Sequence, residues 1–269
     1  MKNISKYFEK IVTIVGHMIV ATWNMKQAVA PKKPLDELWN WIETEIDPDI
    51  IVLTEARPPK EIDHEKWGMI YKLGGIGPRR TWGTIVAARK PIELVKAEFK
   101  VNAFNEAEWA SPAPGSVESV DIVLEGETWA TIVGVYAFMP NSKNGLEALD
   151  GIICEIIDVM ATERERLIVA GDFNLWPNDL NRFMNDLPLI DVIGSVDGFP
   201  ELVDGKGGSR IWTHKNGNSP NAARQEIDFI YVSEAMADEV VSGGGGIDDY
   251  PDSWEFSDHA PVVVQFNVD

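Results

Sequence analysis

Cysteine is almost missing from this chain: Cys154 is the only one in 269 residues. That rules out a disulfide framework within the chain and any Cys-rich zinc site. The helical spacing of "GIICEIIDVM" makes Cys154 a core or helix-face residue rather than a catalytic thiol. Positive charge is also in deficit, with 24 Lys plus Arg against 43 Asp plus Glu and a net charge of -19. Proteins that coat nucleic acid by broad phosphate neutralisation are basic, so the balance argues against that class. It leaves room for a cleft that is locally positive or bridged by a metal. Long hydrophobic runs are lacking as well. The apolar run within "MKNISKYFEKIVTIVGHMIVA" is too short to span a bilayer, and no small-x-small cleavage site precedes "TWN". A stable membrane association is therefore not expected. The basic start resembles a signal peptide, which keeps secretion open beside the cytoplasmic location that a chain without disulfides fits. Cleavage after Ala21 would destroy the first strand, so residues 1–17 read as an extension, Met18 as an alternative start, and 18–269 as one domain.

What is present is a succession of apolar runs. "MIVATWN" reads as a buried strand, and "PLDELWNWIETEI" places Leu35, Leu38, Trp39, Ile42 and Ile46 on one helical stripe behind Pro34. Pro48 breaks that helix, and "DIIVLTEAR" starts a second strand that ends in Glu55. "WGTIVAARKPIELVKAEFKV", "ESVDIVLEG" and "TWATIVGVYAFMP" read as consecutive strands, with a turn at "ARKP". Asn144 with Glu147 forms a capping box for a helix whose apolar face is Leu146, Leu149, Ile153, Ile156 and Met160. "LIVAG" is the next strand, followed by a short helix from Asn178, and the late strands are "RIWTH", "EIDFIYVS" and "APVVVQF". Gly243 to Gly246 read as a loop joining two strands, without the strand-loop-helix context of a phosphate cradle. Direct strand succession in the middle and alternation with helices near both ends imply mixed sheets with helices on their outer faces.

The strands share a way of ending. Asn24 ends the first and Glu55 the second, while Asp172 and Asn174 follow "LIVAG". Asp228 lies within "EIDFI", and Asp258 with His259 precedes the last strand. Each alone is compatible with an ordinary turn, but together they exceed what turns require, because function in α/β folds collects at one edge of a sheet. A buried Asp228 also needs a partner. The donors are hard oxygens, amides and one imidazole, a set that suits Mg²⁺, or alternatively Mn²⁺, and phosphate chemistry.

The order of "TWN", "PDIIVLTE", "GDFN", "IDFI" and "SDHAPV" resembles the endonuclease/exonuclease/phosphatase superfamily of metal-dependent phosphoesterases, over nearly the whole chain from Met18. The resemblance implies a four-layer α/β sandwich, two mixed β-sheets packed face to face with helices on the outer faces. It implies that Glu55 is the principal metal ligand, with Asp258 a second or water-mediated one. Asp172 would orient or deprotonate the attacking water, and Asn24 and Asn174 would hold the scissile phosphate and its metal. His259, paired with Asp228, would bind a non-bridging phosphate oxygen.

Departures from the family's subgroups narrow the substrate. The sequence "VYAFMPNS" lacks the second histidine that sphingomyelinase-like and deoxyribonuclease-like members carry there, and is more similar to the exonuclease III type. Phe138 stands where that type has a tyrosine two residues before a proline; Tyr136, on the same strand face, could supply the hydroxyl or could belong to the core. Lys26 stands where apurinic endonucleases have an acidic residue. Arg57 is placed to approach a nucleic-acid backbone or to be a solvated loop residue, Trp212 to wall the cleft, and Trp176 to stand at its rim. Most other tryptophans belong to the core, and His17, His64 and His214 read as surface or supporting residues. The resulting expectation is a Mg²⁺-dependent phosphodiesterase whose substrate is nucleic acid. A phosphatase for a small phosphorylated molecule or lipid headgroup, and a weakened binding or scaffold protein of the same fold, are the alternatives; no protein partner is implied.

Overall fold

A computed structural model of the chain describes residues 16–26, 34–59, 62–74, 82–97, 115–137, 164–184, 189–195, 210–217, 219 and 221–268. Phe138, Cys154 and the helix expected from Asn144 to Met160 lie outside the described residues. Fourteen strands are found among them. They are β1 (Gly16–Asn24), β2 (Ile50–Ala56), β3 (Trp67–Gly74), β4 (Trp82–Arg89), β5 (Glu93–Lys96), β6 (Val117–Leu124) and β7 (Glu127–Tyr136). There follow β8 (Leu167–Asp172), β9 (Leu189–Asp191), β10 (His214–Lys215), β11 (Arg224–Gln225), β12 (Asp228–Ser233), β13 (Val240–Gly245) and β14 (Val262–Val268).

Two six-stranded mixed sheets result, ordered β13-β14-β1-β2-β4-β3 and β5-β6-β7-β8-β12-β9, beside the two-stranded β10-β11 hairpin. Each large sheet contains a single parallel pair at its centre, β1 with β2 and β7 with β8. A parallel pair needs a crossover. The first is helix α1 (Leu35–Trp41), continued by a π-helical turn through Ile46 and stopped by Asp47 in the left-handed region. Leu38, Trp39, Ile42 and Ile46 of the expected stripe are buried against the outer face of the first sheet, together with Trp23, Leu53, Trp67 and Ile85. The helix α2 (Pro177–Met184) covers the second sheet, where Leu180 packs in the cluster of Phe173, Phe229 and Tyr231.

Between the sheets, Val20, Val52, Val86 and Val264 interdigitate with Ile122, Ile132, Ile168 and Ile230 in one core. The contact is closest at Gly134, where a Cβ would lie 2.5 Å from Thr84 Cγ2 and 2.8 Å from Val52 Cγ1. A side chain there would pry the sheets apart. Trp23, Trp39, Trp67 and Trp82 are core residues, as expected. No described helix is long and apolar enough to cross a membrane.

Four local expectations are corrected. The first strand begins at Gly16, with His17 paired opposite Asn267, two residues before Met18. The strand β3 was not foreseen; it is an edge strand whose Tyr71 and Leu73 are exposed, so it lacks a clean buried face. "RIWTH" is not a strand through Arg210–Thr213, because Arg210 turns inward to pair with Asp191 and Glu226. The glycine run is not a free loop: Gly243, Gly244 and Gly245 form the edge strand β13, in register with Val264, Val263 and Val262. The apolar strand β14 supplies the ladder, and glycines carry no periodicity by which a strand could be read.

Candidate active site

The topology delivers the polar strand ends to one edge of the sandwich. The two parallel pairs end together, with Asn24 opposite Thr54 on the β1–β2 pair and Tyr136 opposite Asp172 on the β7–β8 pair. Strands β12 and β14 run antiparallel to β8 and β1, so their first residues reach that same edge: Asp228 pairs with Asp172, and Val262 with Thr22. Gly171 makes the approach of β8 to β7 feasible, since its φ is +149° and a Cβ would lie 1.9 Å from the Val135 carbonyl oxygen.

The side chains then lock together. Asn24 Nδ2 donates to Asp172 Oδ2 at 2.8 Å and to Glu55 Oε1 at 3.3 Å, joining the two sheets across the cleft. Asp172 Oδ1 accepts the Asn174 N–H at 2.8 Å, and Asn174 Nδ2 donates to the Ala137 carbonyl at 2.9 Å. His259 Nδ1 meets Asp228 Oδ2 at 2.8 Å, which leaves Nε2 facing Asp172 Oδ2 at 3.9 Å. Thus Asp228 has the partner its burial demands, and its other oxygen, Oδ1, has none among the described residues. Ser257 fastens this loop to β1: its hydroxyl donates to the Asn24 carbonyl at 2.7 Å and accepts the His259 N–H at 3.1 Å. Trp23 Nε1 donates to the His259 carbonyl at 2.8 Å. The Tyr136 hydroxyl hydrogen-bonds Glu55. Glu55 (φ 45°), Asn174 (φ 51°) and Lys26 (φ 50°) all hold the left-handed backbone that non-glycine residues avoid. Strain of this kind collects where a site is over-determined by its surroundings.

Electrostatics follow from burial. Asp172 and Asp228 are each 1% exposed and His259 is 6% exposed. Burial, followed by the nearby Asp228 charge, pushes the Asp172 carboxyl up to about 8. For His259, burial favours the neutral ring, but Asp228, Asp172 and Asp258 outweigh it and hold the imidazole up at about 10. The arrangement therefore sets a cationic imidazolium beside a carboxyl able to take a proton near neutral pH.

On a second flank Asp258 was legible in the sequence, but the side chains that meet it were not. Lys26 Nζ pairs with Asp258 Oδ2. His214 reaches the same oxygen, with Nε2 3.8 Å away, while its Nδ1 is held 2.9 Å from Gln225 Oε1. Its ring lies 4.5 Å from that of His259, to which it is joined by an antiparallel bridge. Burial opposes ionisation of Asp258, but His214, His259 and Lys26 hold its carboxyl below the ordinary range. His214 is thus at the site rather than peripheral. His17 and His64 are exposed. Arg57 is half-buried two residues beyond Glu55, Trp212 is half-buried next to Thr213, and Trp176 is half-buried at the start of α2.

Among the described residues, ligand atoms of His214, Asp258 and His259 lie within 4.8 Å of one another, as do those of Asp172, Asp228 and His259. The expected principal ligand Glu55 belongs to neither group, and instead shares Asn24 with Asp172. The donors are hard oxygens and imidazoles, and Asp258 Oδ1 is buried without a hydrogen-bond partner, so the residues present fit a hard divalent cation.

Two mixed sheets that bring carboxylates, amides and an Asp-paired histidine to one edge define a phosphoester-handling class of α/β sandwich. The chain belongs to the Endonuclease/Exonuclease/phosphatase family, whose model matches residues 21–259. No curated protein matches the chain. Among solved structures it is similar to the 3′ phosphatase NExo from Neisseria bound to a product DNA hairpin, with 18% identity, TM-score 0.63, and coverage of 93% of this chain and 100% of that one. It is also similar to an AP endonuclease from Archaeoglobus fulgidus (16% identity, TM-score 0.62, 93% and 100% covered). D. rerio TDP2 complexed with a single-strand DNA product is a third such structure (15% identity, TM-score 0.62, 94% and 99% covered).

Proposed function

We propose that the protein is a divalent-metal-dependent phosphodiesterase acting on nucleic acid. The observation that carries the reading is the buried Asp228–His259 pair, whose imidazolium Nε2 lies 3.9 Å from the proton-accepting Asp172. Phosphoryl transfer needs positioning and charge neutralisation more than covalent chemistry, and both are supplied here. Glu55, Asp258 and Asn24 are the residues that would hold Mg²⁺, and the ion when bound supplies positive charge to the phosphate. Asp172 accepts the proton of the attacking water, its orientation fixed by the Asn174 N–H and Asn24 Nδ2. His259 neutralises a non-bridging oxygen as the water oxygen bonds to phosphorus and the ester oxygen departs. Asn174, anchored to Ala137, and Tyr136, on Glu55, line the phosphate position. Nucleic acid as the substrate is supported by Arg57, half-buried two residues beyond Glu55 in an otherwise acidic chain, and by relatives solved with DNA. Trp176 and Trp212 would flank the bound strand. A chain with one cysteine fits a reducing, cytoplasmic setting.

Incubation with Mg²⁺ or Mn²⁺ and single-stranded, duplex and abasic DNA, RNA, a generic phosphodiester and a generic phosphomonoester tests the proposal. Cleavage of a nucleic-acid diester, lost in His259→Ala, is expected. Hydrolysis of the monoester alone would replace the nuclease reading by a phosphatase one. No cleavage at all, with a partner interaction that survives His259→Ala, would favour a scaffold.

A further inference from the structure

The Asp258 carboxylate has two differently employed oxygens. Oδ1 is buried and has no hydrogen-bond partner, whereas Oδ2 faces both the Lys26 ammonium and His214 Nε2. Because Gln225 holds His214 Nδ1, the other nitrogen of that ring is the one turned toward Asp258. His214 Nε2 and Asp258 Oδ2 lie 3.8 Å apart, close enough to share a cation, while the His259 ring beside them is turned to Asp228 and Asp172. What lies against Asp258 Oδ2 is a lysine of the same chain. Its delivery is deliberate: Lys26 follows the β1 terminus in a left-handed turn (φ 50°), and its N–H is held 2.9 Å from Asn24 Oδ1.

We infer that Lys26 is a tethered cation that takes the place of an ion at Asp258 Oδ2 and the facing His214 Nε2, so that the protein holds one divalent ion, on the Glu55 side, rather than two. The inference rests on the metal-dependent reading above. Two cations cannot share Asp258 Oδ2 at close range, because their repulsion in a half-buried cleft opposes the second. A tethered ammonium supplies its charge whatever the free metal concentration, and it leaves Asp258 Oδ1 available to the ion at Glu55. The lysine thereby sets the metal stoichiometry of the site.

Mn²⁺ titration of the full chain by calorimetry and electron paramagnetic resonance tests this, using wild type, Lys26→Met, Lys26→Arg, Glu55→Gln and the double variant Lys26→Met/Asp258→Asn. Wild type and Lys26→Arg are expected to hold one ion, and Glu55→Gln to lose it. Lys26→Met should hold two, the additional one at least roughly tenfold tighter than any second binding to wild type, and Asp258→Asn should remove that gain. A Lys26→Met protein with wild-type stoichiometry and affinity would overturn the inference, as would a wild type that holds two ions. A wild type that binds no Mn²⁺ and cleaves no diester would overturn the metal-dependent reading itself. Cleavage with one ion bound but no response to Lys26→Met would sink the tethered cation alone.

Discussion

The two flanks of the cleft handle charge in opposite ways. On one, Asp172, Asp228 and His259 are almost wholly out of water, and their protonation is set by desolvation and by each other. On the other, Asp258, His214 and Lys26 are 15%, 15% and 38% exposed at their side chains and form an ion-paired cluster that solvent still reaches. The buried flank is tied together by its own hydrogen bonds and chemically poised; the open flank is a matter of charge count, which substitution can alter while solvent still reaches the remaining charges. The difference teaches where function and where selectivity should reside: chemistry on the dry side, and cation and substrate preference on the wet side.

The comparison is broken most severely on the dry side. Asp172→Asn removes the proton acceptor and His259→Ala the positive charge; each is expected to lower the rate of diester cleavage by about 10²–10⁴-fold with the fold intact by circular dichroism. Next comes the scaffold beneath it. Gly171→Ala places a Cβ 1.9 Å from the Val135 carbonyl oxygen, so urea denaturation should show a loss of about 3 kcal/mol or more. Titration sharpens the contrast further. Asp172 binds its proton more tightly folded (about 8) than at its ordinary value of 3.8, and His259 likewise (about 10 against 6.5). In the presence of a chelator, the Asp172 contribution to stability is complete at acid pH and declines between about 4 and 8. That of His259 is complete below about 6.5 and is lost as pH rises through about 10. Thermal melts from pH 5 to 10 should therefore fall steadily for wild type, while Asp172→Asn flattens the lower part of the curve and His259→Gln the upper. The smallest effect belongs to the periphery: Arg57→Ala should weaken DNA binding and reduce its salt slope by about 1, as measured by fluorescence anisotropy over a salt series.

Much of this was legible in the sequence because an apolar run that ends in Asn, Asp or Glu carries two signals at once, a buried strand and a polar edge. The runs ending at Asn24, Glu55 and Asp172 all became strands, and the partner that the buried Asp228 required is His259, as the family resemblance implied. What escaped detection lacked periodicity or depended on distance along the chain. Strand β3 is half exposed, and the glycines of β13 have no side-chain pattern to read. Lys26 finds Asp258 across 232 positions, and His214 enters the site from a two-residue strand bridged to His259. A short motif can announce what a strand end contributes; it cannot announce which remote side chain will neutralise it.

The most direct measurement is cleavage of an end-labelled oligonucleotide by wild type and His259→Ala, with Mg²⁺ and with the ion chelated. The account predicts cutting by wild type that stops on chelation, resumes when Mg²⁺ is restored, and is reduced at least about 10²-fold in His259→Ala. Cutting that persists in chelator, or is untouched by loss of His259, would contradict it.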